Sequence, residues 1–383
     1  MEQWKQDRLI DILDTLIDYR GKTPNKVERG IPLITAKIVK NGRIETPTEF
    51  LPAEEYRDWM VRGYPQVGDV VLTTEAPLGE VAQLKDDKIA LAQRIVCLRG
   101  KEDALDNTYL KYFLMSNIGQ YRLKARETGT TVTGIKQSEL KEVLIDYPNY
   151  ELQQKIASIL SSLDSKIELN RSINDNLEQQ AQALFKAWFV DFEPFKGEKF
   201  VESQLGMIPE GWKVGTLSDL LDIRYGKDHK KLNDGNIPVY GSGGVMRLAD
   251  GILYNGESVL IPRKGTLNNV LYVNCPFWTV DTMFYSIEKV PNVAKYCHLL
   301  LSKLDLASMN SGSAVPSMTT DILNKIQVIV ANQDVFRSFN ECISSLYLKA
   351  KINLDENKQL SETRDLLLPK LMSGGLIIKD LHS

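Results

Sequence analysis

Residues 151–190 read ELQQKIASILSSLDSKIELNRSINDNLEQQAQALFKAWFV, and residues 334–373 read DVFRSFNECISSLYLKAKINLDENKQLSETRDLLLPKLMS. In the first stretch Ile156, Leu160, Leu163, Ile167, Leu177, Ala181, Leu184 and Trp188 follow a rhythm of alternating fours and threes. That rhythm is a heptad seam, and Asn170 and Asn174 fill its two middle places. The second stretch repeats it through Phe339, Ile343, Leu346, Ala350, Asn353, Asn357, Leu360, Arg364, Leu367 and Leu371, and Gly374-Gly375 then supplies a stop. Each helix should run roughly 37 residues, about 55 Å at 1.5 Å rise per residue. Two such seams in one chain most simply pair antiparallel. A pseudo-twofold between them sets Asn170 against Asn357 and Asn174 against Asn353, where buried asparagines fix register at some cost in stability.

Outward from the helices the repetition continues. Without a gap, Leu140 falls on Leu323, Val143 on Ile326, Ile145 on Val328, Ile156 on Phe339 and Leu184 on Leu367, from an anchor at Gly129-Thr130-Thr131-Val132 and Gly312-Ser313-Ala314-Val315. Upstream the offset varies: Gly68-Asp69-Val70-Val71-Leu72 matches Gly256-Glu257-Ser258-Val259-Leu260, Ile31-Pro32 matches Ile237-Pro238, Gly21-Lys22 matches Gly226-Lys227, and Trp4-Lys5 matches Trp212-Lys213. The period is too long for a solenoid and marks a duplicated domain. The expected segments are a globular half over 1–150, a long helix over 151–191, a linker and second globular half over 192–332, and a second long helix with a tail over 333–383. Val70-Val71-Leu72, Ile95 to Leu98, Val259 to Ile261 and Leu271 to Val273 read as buried strands. Shorter helices are expected over Thr108–Arg126 and Val293–Leu306. Asp234-Gly235, Gly241 to Gly244 and Asn255-Gly256 read as turns, and Glu193 to Gly211 as a linker. The fold class is α/β, more closely α+β, with the helices packed as an antiparallel coiled coil.

A chain of 383 residues with a formal charge of −3 does not announce a nucleic-acid binder. The distribution matters more than the total. Basic residues gather as Arg20, Lys22 and Lys26, as Lys37, Lys40 and Arg43, as Arg224, Lys227, Lys230 and Lys231, and as Arg263-Lys264. Taken alone, such clusters are also what a solvated surface looks like. Cys97, Cys275, Cys297 and Cys342 form no Cys-x-x-Cys pair, so no zinc site or disulfide framework is indicated. No apolar run approaches a membrane span and the polar N-terminus resembles no signal peptide, so a cytoplasmic location is expected.

Catalytic motifs are hard to find. Arg20-Gly21-Lys22-Thr23 has the end of a phosphate loop, but Leu16 stands where its first glycine belongs. Gly241-Ser242-Gly243-Gly244 has no helix after it. His229, His298 and His382 are scattered, and Cys297-His298 lies on an apolar helical pattern that suits a core. No metal ligand set and no methyltransferase or hydrolase motif stands out.

Residues 200–212, FVESQLGMIPEGW, resemble the segment that opens the second half of type I restriction–modification specificity subunits. Gly129-Thr130-Thr131 leading to Ile135, Leu140 and Tyr147-Pro148 is similar to that family's domain-to-helix junction. Gln153-x-x-Ile156-Ala157-x-Ile159-Leu160 continues it, and Leu366-Leu367 through Leu371-Met372-x-Gly374 resembles its C-terminal stretch. The second copy departs at Pro316 and Ser317, and has Phe336 and Phe339 in place of Gln153 and Ile156.

The resemblance implies two target-recognition domains reading an asymmetric, split duplex DNA target. It implies helices that act as spacer and as dock for two methyltransferase subunits, with restriction and translocase subunits joining them. This chain would then be the non-catalytic subunit of a type I site-specific deoxyribonuclease and adenine-specific DNA methyltransferase. S-adenosylmethionine, ATP and Mg would belong to the partners. Side chains on loops would read bases while phosphate contacts set position. The candidates are Lys22, Thr23, Lys37, Arg43, Thr73, Thr74 and Glu75 in the first copy. In the second they are Lys227, Lys230, Tyr240, Ser242, Arg263, Lys264, Asn268 and Asn269. Binding by the chain alone should be weak and strongly salt-sensitive. The competing reading is a coiled-coil scaffold that holds protein partners and reads no DNA.

Overall fold

A computed structural model of the chain describes residues 4–19, 21, 23–129, 133–309 and 317–376. Lys22 and most of the repeat anchor, Thr130–Val132 and Gly312–Val315, lie outside the described residues. The chain forms two compact units, residues 1–170 with 355–383, and residues 171–354. These divide the chain differently from the linear segments read in the sequence, because each unit takes half of each long helix.

The long helices are Tyr150–Phe189 and Gln333–Met372, 40 residues each, or about 60 Å at 1.5 Å per residue. Within the first unit they run antiparallel, since Asp164 meets Arg364 and Asn170 meets Asn357. Within the second, Asn174 meets Asn353 and Phe189 stacks on Phe336 in the same antiparallel sense. Asn170 Nδ2 donates to Asn357 Oδ1 at 3.0 Å, and Asn353 Nδ2 donates to Asn174 Oδ1 at 2.8 Å. Asn170 and Asn353 are fully buried, while Asn174 is partly exposed. Gly374, at φ +69°, takes the left-handed conformation that stops the second helix.

The first unit centres on an antiparallel sheet in the order Leu13–Asp18, Ile95–Gly100, Val70–Thr74, Leu78–Gln83. The second centres on six strands in the order Leu221–Tyr225, Met283–Glu288, Tyr254–Pro262, Leu271–Thr279, Ile237–Gly241, Gly244–Ala249. Both sheets are covered on two faces. Val70, Leu72, Val96 and Leu98 face a core built with Ile156, Leu160, Leu368 and Leu371 of the long helices, while Val71, Ile95 and Cys97 face a second core. That explains why these strands read as unbroken apolar runs rather than alternating ones.

The duplication holds at the level of single hydrogen bonds. Leu9 N–H donates to Val143 O at 2.7 Å, and Leu217 N–H to Ile326 O at 2.8 Å. Tyr109 Oη donates to Asp146 O at 2.8 Å, and Tyr296 Oη to Ile329 O at 2.7 Å. Parallel bridges pair Ile34 with Leu91 and Tyr240 with Thr279. The departure at Phe336 has a physical basis. Gln153, fully buried, accepts from Asp106 N–H and donates to Ala104 O and Pro148 O. At the equivalent place Phe336 packs on Tyr296 at 5.2 Å and Phe189 at 6.0 Å. One repeat fixes this junction with an amide, the other with aromatic rings.

Three sequence readings need correction. The supposed linker is folded: Glu193–Phe195 is a 3-10 turn, and Phe200–Ser203 pairs with Gly206–Pro209 as a hairpin. Trp212 anchors this region against Phe195 at 4.9 Å and Phe189 at 5.9 Å. Asn255-Gly256 is strand rather than turn, lying within Tyr254–Pro262. The helix expected over Thr108–Arg126 is two, Asn107–Met115 and Asn117–Lys124, because Ser116 turns extended and its Oγ accepts from Gly119 N–H to cap the second.

Candidate nucleic-acid interface

In each unit the same backbone frame presents a group of turns. In the first, Thr74 N–H donates to Arg94 O and Ile135 N–H donates to Thr74 O, both at 2.9 Å. In the second, Arg263 N–H donates to Thr282 O at 2.8 Å and Met318 N–H to Arg263 O at 2.9 Å. Bridges from Glu75 to Gly134 and from Lys264 to Ser317 complete the equivalence. Thr74 and Arg263 therefore hold one place in the frame, and Glu75 and Lys264 the next.

The turns of the first unit surround a cavity of about 270 Å³ lined by Thr23, Lys26, Lys37, Glu49, Gln93 and Arg94 among others. Thr23 is exposed and its Oγ1 donates to Gln93 Oε1 at 3.3 Å. Cations here are matched by carboxylates. Lys26 lies 2.9 Å and Lys37 3.9 Å from Glu49, while Lys40 lies 3.4 Å and Arg43 3.9 Å from Glu45. Glu75 is half-exposed and paired with Arg94 at 2.9 Å. Thr73 and Thr74 are not loop residues. They end the strand Val70–Thr74, buried at 0% and 2% exposure, and Thr73 Oγ1 accepts from Glu80 N–H at 2.9 Å. As placed, neither hydroxyl is offered to a ligand.

The second unit is less compensated. Lys227, Lys230, Lys231 and Lys264 are exposed, and none makes an ion pair among the described residues. Arg263 stacks over Tyr225, 5.4 Å from the ring centre, and donates to Asp281 O at 3.2 Å. Ser242 sits in the turn between Ile237–Gly241 and Gly244–Ala249, and its carbonyl accepts from Asn269 Nδ2 at 2.8 Å. Asn268 is committed at both ends of its amide, donating to Asp305 and accepting from Ala307 N–H. Tyr240 is half-buried with its ring 6.3 Å from Phe277, and burial pushes its phenol up to about 12. The structure thus brings Ser242, Arg263, Lys264 and Asn269 together. It turns Asn268, Thr73 and Thr74 to internal use. Gln93, Arg94 and Tyr225 join the two groups although no pattern of period or motif marks them.

Burial pushes the thiols of Cys97 and Cys297 up, which disfavours the reactive thiolate. His298 is held neutral by burial, its pKa near 4, and its Nδ1 meets Tyr347 Oη at 2.7 Å. No group of three or more His, Cys, Asp or Glu side chains is suited to a metal ion, and no helix is long and apolar enough to cross a membrane, among the described residues.

Comparisons with known proteins agree with the duplication. The type I restriction modification DNA specificity domain matches residues 1–179 and again residues 209–334. The type I restriction enzyme MjaIX specificity subunit of Methanocaldococcus jannaschii is 30% identical over 420 residues, covering 99% of this chain and 95% of its own. The HindI specificity subunit of Haemophilus influenzae is 24% identical over 376 residues, covering 75% and 81%. The crystal structure of the type I restriction–modification S subunit from M. genitalium shares the fold, with a TM-score of 0.57 at 19% identity over 97% of this chain and 96% of that one. With two copies of its defining domain and a relative matched along nearly the whole length, the chain belongs to the type I restriction–modification DNA specificity subunits.

Proposed function

We propose that this chain reads an asymmetric, split DNA target, one part with each unit, for a type I restriction–modification complex. The long helices set the gap between the parts and dock two methyltransferase subunits, through which restriction and translocase subunits join. Leu169 and Ile352, equivalent in the two repeats and 54% and 49% exposed, are the helix positions this reading sets beneath those partners. Chemistry resides in the partners, which would carry S-adenosylmethionine, ATP and Mg.

The observation that carries the reading is the pairing of one frame with unlike turns. Thr74-Glu75 and Arg263-Lys264 occupy the same backbone positions, yet one turn carries an acid ion-paired to Arg94 while the other is cationic and makes no ion pair among the described residues. Two identical readers would favour a symmetric target, and two different ones favour an asymmetric target. Base identity would be read in the major groove by the side chains these turns leave accessible, Glu75 and Arg263 among them, with lysines on phosphates. The test is co-expression with a type I methyltransferase subunit, followed by sequencing of methylated adenines. A two-part motif that appears only with this chain supports the reading, and unchanged methylation contradicts it.

A further inference from the structure

The edge strand Gly244–Ala249 of the second unit is unlike a protected sheet edge. Val245, Met246 and Leu248 are apolar and 56%, 59% and 40% exposed. Edge strands ordinarily carry charge or proline, because an apolar edge invites association. The register adds a second feature. Val239 faces Arg247 and Tyr240 faces Val245, so Met246 is the extra residue of a β-bulge. Bulges re-aim side chains and recur beside functional sites. A Cβ on Gly241 would lie 2.4 Å from Met246 Sδ, so the glycine leaves the room in which the thioether lies.

The surroundings indicate what covers this patch. The loop bearing Lys264 packs on the turn that opens the strand, through Asn269 Nδ2 to Ser242 O at 2.8 Å. The loop bearing Lys227, Lys230 and Lys231 is tied to the strand by Arg247 Nη2, which donates to Leu232 O at 2.6 Å. Two nearby acids are engaged locally, Asp228 by Lys230 N–H and Asp250 by Asn233. Asp234 and Asp281 are also exposed, and the rim remains net positive. An apolar strip between free cations complements base edges flanked by phosphates. The strip lies on the antiparallel hairpin that forms the edge of the six-stranded sheet, and paired antiparallel strands are a shape the major groove admits.

We propose that Val245 and Met246 are apolar base readers, packing on the 5-methyl group of thymine in the half-site of the second unit. Thymine alone offers a methyl group in that groove. The inference rests on the DNA-reading function proposed above and adds a base to it. The short hairpin of the first unit, Val39–Lys40 with Arg43–Ile44, carries no such strip, for Val39 is buried and Ile44 partly so.

The test uses the full chain co-expressed with a methyltransferase subunit. The Val245→Ser, Met246→Ser double variant should lose discrimination at an A·T position in one half of the motif and keep the other half. An unchanged motif, relaxation at a G·C position, or relaxation in both halves would overturn the proposal. Absence of any motif with the unaltered chain removes the reading beneath it, and this inference with it. A second measurement needs no variant to fold. Uracil in place of the contacted thymine should weaken binding by the complex about fourfold, the value of one buried methyl-sized group. Equal affinity for the two duplexes overturns the proposal. Concentration-dependent self-association of the chain that the double variant abolishes would assign the strip to a second copy instead.

Discussion

Asp164 and Tyr347 occupy the same position in the two repeats, and each bonds the same partner position, Lys111 in the first and His298 in the second. Lys111 Nζ lies 2.9 Å from Asp164 Oδ2, and His298 Nδ1 lies 2.7 Å from Tyr347 Oη. Arg364 and Tyr112 also bond Asp164, at 2.9 and 2.6 Å. A single architectural joint, short helix to long helix, is ionic in one unit and neutral in the other.

The two joints should respond to acid at different pH. Burial lowers the His298 pKa from 6.5 to about 4, so the unfolded chain binds a proton that the folded one refuses. Its contribution is full above about 6.5 and drains as pH falls towards 4. Tyr272, Glu257 and Lys295 surround the same joint. Burial opposes ionisation of Asp164, but Lys111, Tyr112 and Arg364 outweigh it and hold the carboxyl below its ordinary range. The ionic joint therefore persists until pH falls below the ordinary value near 3.8. Thermal melts between pH 7.5 and 4 should show the second unit weakening first, and His298→Gln should flatten that dependence. Asp164→Asn should leave the slope in this window unchanged.

The asparagine pairs yield a stability prediction. Removing both members of one pair, Asn174→Leu with Asn353→Leu, replaces a buried amide contact by apolar packing. Stability should be unchanged or rise by about 1 kcal/mol, while the helix pair loses its single register. Denaturant midpoints and the number of resolved helix resonances check the two parts. A clear loss of stability with one register retained would show that the amides are ordinary packing.

The long helices, the duplication and the asparagine partners were all legible in the sequence, because a heptad seam specifies one face and a repeat specifies symmetry. The hairpin at 200–209 was not. Its strands are four residues long, and their fixing contacts, Phe195 and Trp212 among them, are tertiary. Thr73 and Thr74 were misplaced although a signal existed, since β-branched residues after Val-Val-Leu favour continuation of the strand. Among the candidate readers, sequence found the cations but not their carboxylate partners, because Glu49 meets Lys26 only through folding.

Thr73 should accordingly matter to folding and not to recognition. Thr73→Val removes the acceptor of the Glu80 N–H and should cost about 1–3 kcal/mol. The methylated motif should be the same as that of the unaltered chain.

The unequal compensation of charge should appear in salt dependence. With the chain's motif in a duplex, Lys227→Ala, Lys230→Ala and Lys264→Ala together should lower the slope of log affinity against log salt by up to about 2.7, at about 0.9 per phosphate contact. Lys26→Ala with Lys37→Ala should change it less, because the Glu49 carboxylate pairs with Lys26 at 2.9 Å and lies 3.9 Å from Lys37. Equal slopes for all variants would exclude these lysines from phosphate contact.

Two unlike readers on one helical spacer would give a motif whose halves and gap vary independently. The measurement is to insert one heptad in each long helix and sequence the methylated adenines. Both halves of the motif should stay the same while the gap grows by about three base pairs, from about 10 Å of added helix. An unchanged gap, or a change in the bases of either half, would contradict it.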